Sequence, residues 1–243
     1  MQIKPFTELD EGDLELKRAL NYNPWLTEYT LSQPESGRNP YETDRGGWRG
    51  YNRVYSKYLS AKKEQPLRIL EIGVHSGYGL LSWASYFKNA TVFGIELDSS
   101  WVTSNHKLLT KYEDYSRVNI KYFDSRDVNS WKSEITGKFD VIIDDGSHKP
   151  ADQLVTLEIA FKYLSPTGIY FIEDISSRYH NPSMDIVWNR LKQLETNNYV
   201  AGYSHKNEGW EKLLLNKSVW SRYGITEETP KIAEDYIAVI KPN

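Results

Sequence analysis

A doubly wound α/β fold with a mostly parallel sheet is what this sequence predicts, on three observations. From residue 67 onward, short and nearly continuous apolar runs alternate with amphipathic stretches at helical spacing. The first run passes straight into a glycine-studded turn, Glu71-Ile-Gly-Val-His-Ser-Gly-Tyr-Gly79, and then into a helix. Nearly every predicted strand ends on a carboxylate, which places the acids on one rim of the sheet.

The elements follow in order. Residues 1–40 hold Pro5, Pro24, Pro34, Pro40 and the acidic stretch Asp10-Glu-Gly-Asp13, with one plausible helix at Leu14 to Leu20. They read as an arm that packs on the domain or on a neighbouring subunit, a possible route to a homo-oligomer. Residues 41–243 read as the domain proper. Tyr51, Val54, Tyr55, Tyr58 and Leu59 share one face of a predicted helix. Leu67–Ile72 is strand one, followed by a helix from Leu80 to Phe87. Thr91–Glu96 is strand two, with a helix near Ser100–Lys111, and Val118–Phe123 is strand three. A short helix around Asp127–Glu134 precedes strand four, Phe139–Asp144. Ala151–Leu164 is a long helix, Gly168–Glu173 is strand five, and Met184–Leu194 is a further helix. An irregular, aromatic-rich region leads to a last strand at Tyr236–Ile240.

Composition narrows the function classes. With 243 residues the chain is long enough for one well-cored domain. A net charge of −3 gives no electrostatic case for nucleic acid or an anionic membrane. The absence of cysteine excludes disulfides, thiolate zinc sites and cysteine nucleophiles. No apolar run is long enough to span a bilayer and no leader pattern opens the chain, so a cytoplasmic protein is expected.

The glycine turn suits a nucleotide-like ligand, because Gly73 and Gly77 let backbone approach it and the helix N–H groups face it. Glu71 would repel a pyrophosphate and favours a ligand carrying positive charge. That speaks against a nicotinamide dinucleotide. Glu96, at the end of strand two, stands where an acid accepts hydrogen bonds from ribose hydroxyls. Asp124 can either take an exocyclic amine of adenine or cap the following helix. Asp144-Asp-Gly-Ser-His148 and the pair Glu173-Asp174 end adjacent strands. Asp145, Glu173 and Asp174 would form an oxygen-only pocket suited to Mg²⁺ or another hard divalent cation. His148 reaches the same space as a base for a hydroxyl proton. Ser147 and Gly146 shape that turn. His75 reads as a packing residue, and His106, His180 and His205 have no companion motif.

With those residues assembled, the sequence resembles class I S-adenosylmethionine-dependent methyltransferases, and more narrowly the metal-dependent sugar O-methyltransferases of antibiotic biosynthesis. Glu71-x-Gly73 with Gly77 and Gly79 resembles their first cofactor loop. Ile143-Asp-Asp-Gly-Ser-His148 and Ile172-Glu-Asp174 resemble their metal and base segments. Thr43-Asp44-Arg45-Gly46 with Tyr51 resembles an element that precedes the domain, although Arg49 stands where that element has histidine. The resemblance implies a Rossmann-like, seven-stranded sheet with an antiparallel last strand. It also implies S-adenosyl-L-methionine held by Glu71, Gly73, Gly77, Glu96, Asp124 and Asp144. Mg²⁺ would sit on Asp145, Glu173 and Asp174, with His148 as general base. The implied acceptor is a hydroxyl of a small molecule, a carbohydrate or glycosylated compound. A catechol-like phenol is the alternative, and a non-catalytic adenosylmethionine-binding protein is a further one.

Overall fold

The computed structural model describes residues 51–176, 184–204 and 235–243. The proposed arm at 1–40 with its helix, the element at 43–46, Arg49, His180 and His205 lie outside the described residues.

Among the described residues, seven strands form one sheet: β1 (Arg68–Ile72), β2 (Thr91–Glu96), β3 (Val118–Tyr122), β4 (Phe139–Asp144), β5 (Leu164–Ser176), β6 (Asn198–Ser204) and β7 (Asp235–Pro242). Their spatial order is β3-β2-β1-β4-β5-β7-β6. The pairings from β3 to β5 are parallel, and β7 runs antiparallel to both β5 and β6. The helices are α1 (Asn52–Leu59), α2 (Tyr78–Tyr86), α3 (Ser99–Leu109), α4 (Val128–Glu134), α5 (Pro150–Ala160) and α6 (Met184–Leu194). The expected architecture, including the antiparallel last strand, is present.

Each inner strand is buried on both faces, which explains its unbroken apolar run. Ile69, Val141, Ile143 and Phe171 face one core with α1 and α2, while Leu70, Ile142 and Ile172 face the other. The first core holds Trp83, Tyr55 and Phe87 at zero exposure, each contributing on the order of 2 kcal/mol by burial. The predicted apolar face of α1 is real: Tyr51, Val54, Tyr55 and Leu59 are all buried.

Most element limits shift by one or two residues, and three differences are larger. The helix predicted to run to Leu164 ends at Ala160 and tightens into a 3₁₀ turn at Phe161–Tyr163. β5 extends well beyond Gly168–Glu173 because β7 pairs with it as far as Ser176. β6 falls where the sequence reads as irregular chain. Its pairing with β7 along its whole length supplies the order that its own alternation does not announce.

Candidate active site

Two loops interlock at the carboxyl ends of β1 and β4. The Gly73 N–H donates to the Ile95 carbonyl at 2.9 Å, and the Asp145 N–H donates to the Ile72 carbonyl at 2.9 Å. Gly73 has φ +86°, and a Cβ built there would stand 2.1 Å from the Asp145 carbonyl oxygen. Only glycine fits. Gly77, at φ +88°, opens α2.

Glu71 is buried, and its carboxylate accepts from the Trp83 indole N–H at 2.6 Å. It therefore faces the packing between β1 and α2. Glu96 is held by four backbone N–H groups. One oxygen accepts from Val74 at 2.8 Å and His75 at 2.7 Å, and the other from Leu97 at 2.8 Å and Asp98 at 3.1 Å. The acid of β2 thus ties the glycine loop down. The His75 ring stacks on Trp101 with centroids 4.6 Å apart.

Asp124 is engaged by its near neighbour. Arg126 donates to it through Nε at 2.9 Å and Nη2 at 2.6 Å, and its other arm reaches Asp152 at 2.8 Å. The guanidinium holds the Asp124 carboxyl below the usual carboxylate range. Asp144 is the opposite case. It is buried, and burial pushes its pKa up to about 7 against the Gly146 N–H and Tyr170 hydroxyl, each at 3.3 Å.

The far strands assemble the second cluster. One ligand atom from each of Asp145, His148 and Asp174 lies within 4.8 Å of the others. His148 Nε2 is 3.9 Å from Asp145 Oδ1, and its Nδ1 is 3.8 Å from Asp174 Oδ2. A divalent cation with oxygen donors at about 2.1 Å holds opposite donors ~4 Å apart, so this spacing fits an ion after slight closure. Two aspartates are also the donors a hard cation prefers. The three non-glycine residues with positive φ among the described residues are His75, His148 and Asp174, at +50°, +56° and +52°. All three lie in this rim, where such strain is held by surrounding structure.

Glu173 does not join that cluster. It is buried, and the Tyr55 hydroxyl donates to its Oε1. One turn earlier, at the N-cap of α1, the Tyr51 hydroxyl donates to Asp174 Oδ1 at 2.8 Å. The Gln153 amide of α5 donates to the Glu173 carbonyl at 3.0 Å. None of these donors was expected as part of the site. The two tyrosines leave a trace in the sequence, as hydroxyls at positions i and i+4 on the predicted face that also carries Val54, Tyr58 and Leu59.

Residues 70–175 match the family model described as a methyltransferase domain. The chain is 35% identical over 148 residues to L-olivosyl-oleandolide 3-O-methyltransferase of Streptomyces antibioticus, covering 57% of this chain and 36% of that protein. It is 30% identical over 135 residues to mycinamicin VI 2''-O-methyltransferase of Micromonospora griseorubida, covering 51% of this chain and 31% of that protein. The chain thus spans about a third of the length of these curated relatives. Among solved structures, the O-methyltransferase from Bacillus cereus in complex with SAH superposes with a TM-score of 0.58. It is 13% identical, and the match covers 94% of this chain and 96% of that one. That likeness concerns the fold. The matched segment contains both interlocked loops and ends one residue after Asp174, so what this chain shares with the methyltransferase domain family lies over residues 70–175.

Proposed function

We propose that the chain is an O-methyltransferase that takes its methyl from S-adenosylmethionine. Its acceptor is a hydroxyl of a glycosylated small molecule, and the reaction depends on Mg²⁺. The observation that carries this reading is the convergence of Asp145, His148 and Asp174 beside a loop locked to the glycine turn through Gly73. The sugar acceptor rests on the names of the two relatives, both of which modify glycosylated compounds.

Bound S-adenosylmethionine supplies an electrophilic methyl on a sulfonium. A bound divalent cation would supply acidification of a coordinated hydroxyl. Asp145 and Asp174 would hold it, joined by Glu173 on release from Tyr55. The protein's own task is alignment and proton removal. His148 takes the acceptor's hydroxyl proton, and the imidazolium formed is stabilised by the carboxylates on either side of it. Asp144 and Glu71 are buried behind this rim. Glu96, at the end of β2 and holding the glycine loop through the Val74 and His75 N–H groups, would be the acid that accepts from the ribose hydroxyls.

The test is methyl transfer from labelled S-adenosylmethionine to a panel of deoxysugar glycosides and catechols, with Mg²⁺ or with EDTA. Transfer to glycosides that stops in EDTA is expected, with a loss of at least ~10²-fold in His148→Gln. Undiminished transfer by that variant, or in EDTA, overturns the mechanism. Preference for catechols overturns the acceptor class.

A further inference from the structure

The loop between β4 and α5 carries the imidazole on a left-handed backbone, and a polar network beyond the cluster holds that loop. Ser147 Oγ donates to Asp152 Oδ2 at 2.8 Å and accepts from the Lys149 N–H at 3.3 Å. The other Asp152 oxygen accepts from Arg126 at 2.8 Å. Arg126 is in turn fixed by its two-pronged bond to Asp124. The residue immediately before His148 is therefore anchored from both sides, and the anchor reaches back to the loop after β3. An acid in the first turn of α5 already complements the helix dipole, which alone would explain Asp152. It would not explain why one oxygen faces Ser147 and the other a guanidinium that is already paired.

The geometry points to Asp152, held in place by Arg126, as a positioning residue for His148. Resting on the methyltransferase reading, this assigns the network the task of keeping the imidazole between Asp145 and Asp174. Arg126 is suited to it because a planar guanidinium engages Asp124 with two nitrogens and Asp152 with the third. Lysine, a point charge, cannot hold both acids in fixed orientation. The arrangement also links the β3 loop, on the glycine-turn side of the sheet, to the loop that carries the base.

The test observes His148 directly by NMR of the full chain with ¹⁵N-labelled histidine, its resonance assigned with His148→Gln. Mn²⁺ serves as a paramagnetic probe of the cluster, and S-adenosylhomocysteine affinity is measured by calorimetry. In Asp152→Ala the His148 resonance moves and its broadening by Mn²⁺ changes, while the thermal midpoint falls by less than ~3 °C, as for a solvent-facing ion pair. Affinity for S-adenosylhomocysteine stays within about 2-fold, since the glycine turn keeps its own bonds. Arg126→Lys shows the same His148 change in weaker form. If Asp152→Ala loses its fold, Arg126→Lys carries the test with charge preserved. A His148 resonance and Mn²⁺ response identical to wild type in both variants overturns the assignment. Failure of the wild-type chain to bind S-adenosylhomocysteine overturns the methyltransferase reading instead, and leaves the His148 spectra to judge Asp152 separately.

Discussion

Replacing Gly73 with alanine tests whether the two loops are mechanically one unit. The cost has two parts. The left-handed backbone at φ +86° disfavours any Cβ by about 1–2 kcal/mol. The new methyl also lands 2.1 Å from the Asp145 carbonyl oxygen and 2.8 Å from the Gly146 Cα, both backbone atoms that no rotamer change can move. Overpacking against such atoms adds ~1–3 kcal/mol, for a total of about 2–5 kcal/mol. Gly137→Ala is the matched control. Its φ is +75°, but the nearest atom a Cβ would meet is 3.7 Å away, on the Arg68 side chain. It isolates the backbone contribution of about 1–2 kcal/mol. Urea unfolding of both variants gives the difference. S-adenosylhomocysteine and Mn²⁺ affinities show where the displaced backbone goes. Gly73→Ala is expected to weaken both ligands together, because one clash pushes the glycine turn and the Asp145 loop apart. Equal destabilisation in the two variants, or loss of one ligand without the other, refutes the interlock.

Asp144 sets a pH dependence. Its carboxyl holds a proton to about pH 7 in the fold against an ordinary value of 3.8, so the folded chain binds more protons than the unfolded one between those limits. Stability from this group is full below about pH 4 and declines as pH rises to ~7, by at most ~4 kcal/mol. Asp144→Asn should flatten that decline in metal-free unfolding curves; an unchanged slope counts against the buried acid as its source. Tyr55→Phe leaves the buried Glu173 carboxylate without the tyrosine hydroxyl, which should lower stability by ~1–3 kcal/mol in urea titrations. A silent Tyr55→Phe would show that this bond is not formed in solution. Arg117 donates to the carbonyls of Ala84 and Phe87 at the end of α2 and of Ala90 just before β2, and pairs with Asp114. Arg117→Met should therefore cost about 2–3 kcal/mol, read as a lower urea midpoint at constant slope.

Local pattern made most of the sheet legible. β4 and α6 match their sequence-derived limits because each is flanked by polar residues, Lys138 and Asp145 for β4, Ser183 and Glu195 for α6, and β2 matches because Thr91 and Glu96 themselves end its apolar run. β6 was not legible, since Asn198-Tyr-Val-Ala-Gly-Tyr-Ser204 has a glycine and polar ends, and it is fixed by partners more than thirty residues on. At the site, the rim of carboxylates and the position of His148 beside Asp145 and Asp174 follow from strand order and motif spacing alone. The orientation of each acid does not. Glu173 points to Tyr55 and Asp124 is taken by Arg126, while Glu96 is saturated by backbone N–H groups. Such outcomes depend on which donors the tertiary fold brings near, and on the left-handed turns at Asp174 and His148, which residue type alone does not disclose.

The insertion of β7 between β5 and β6 bears on how the molecule is made. Asn198–Ser204 is synthesised before Asp235–Pro242, yet among the described residues β6 pairs with the sheet only through that later segment. Until it leaves the ribosome, β5 presents an open hydrogen-bonding edge directly beside Glu173 and Asp174. A nascent chain in that state can bury the β1–β4 core while its far rim stays adhesive to other extended segments. The sheet edge beside the acid rim is thereby closed only once Asp235–Pro242 has been made, and a chain arrested before Asp235 would present β5 as a strand acceptor.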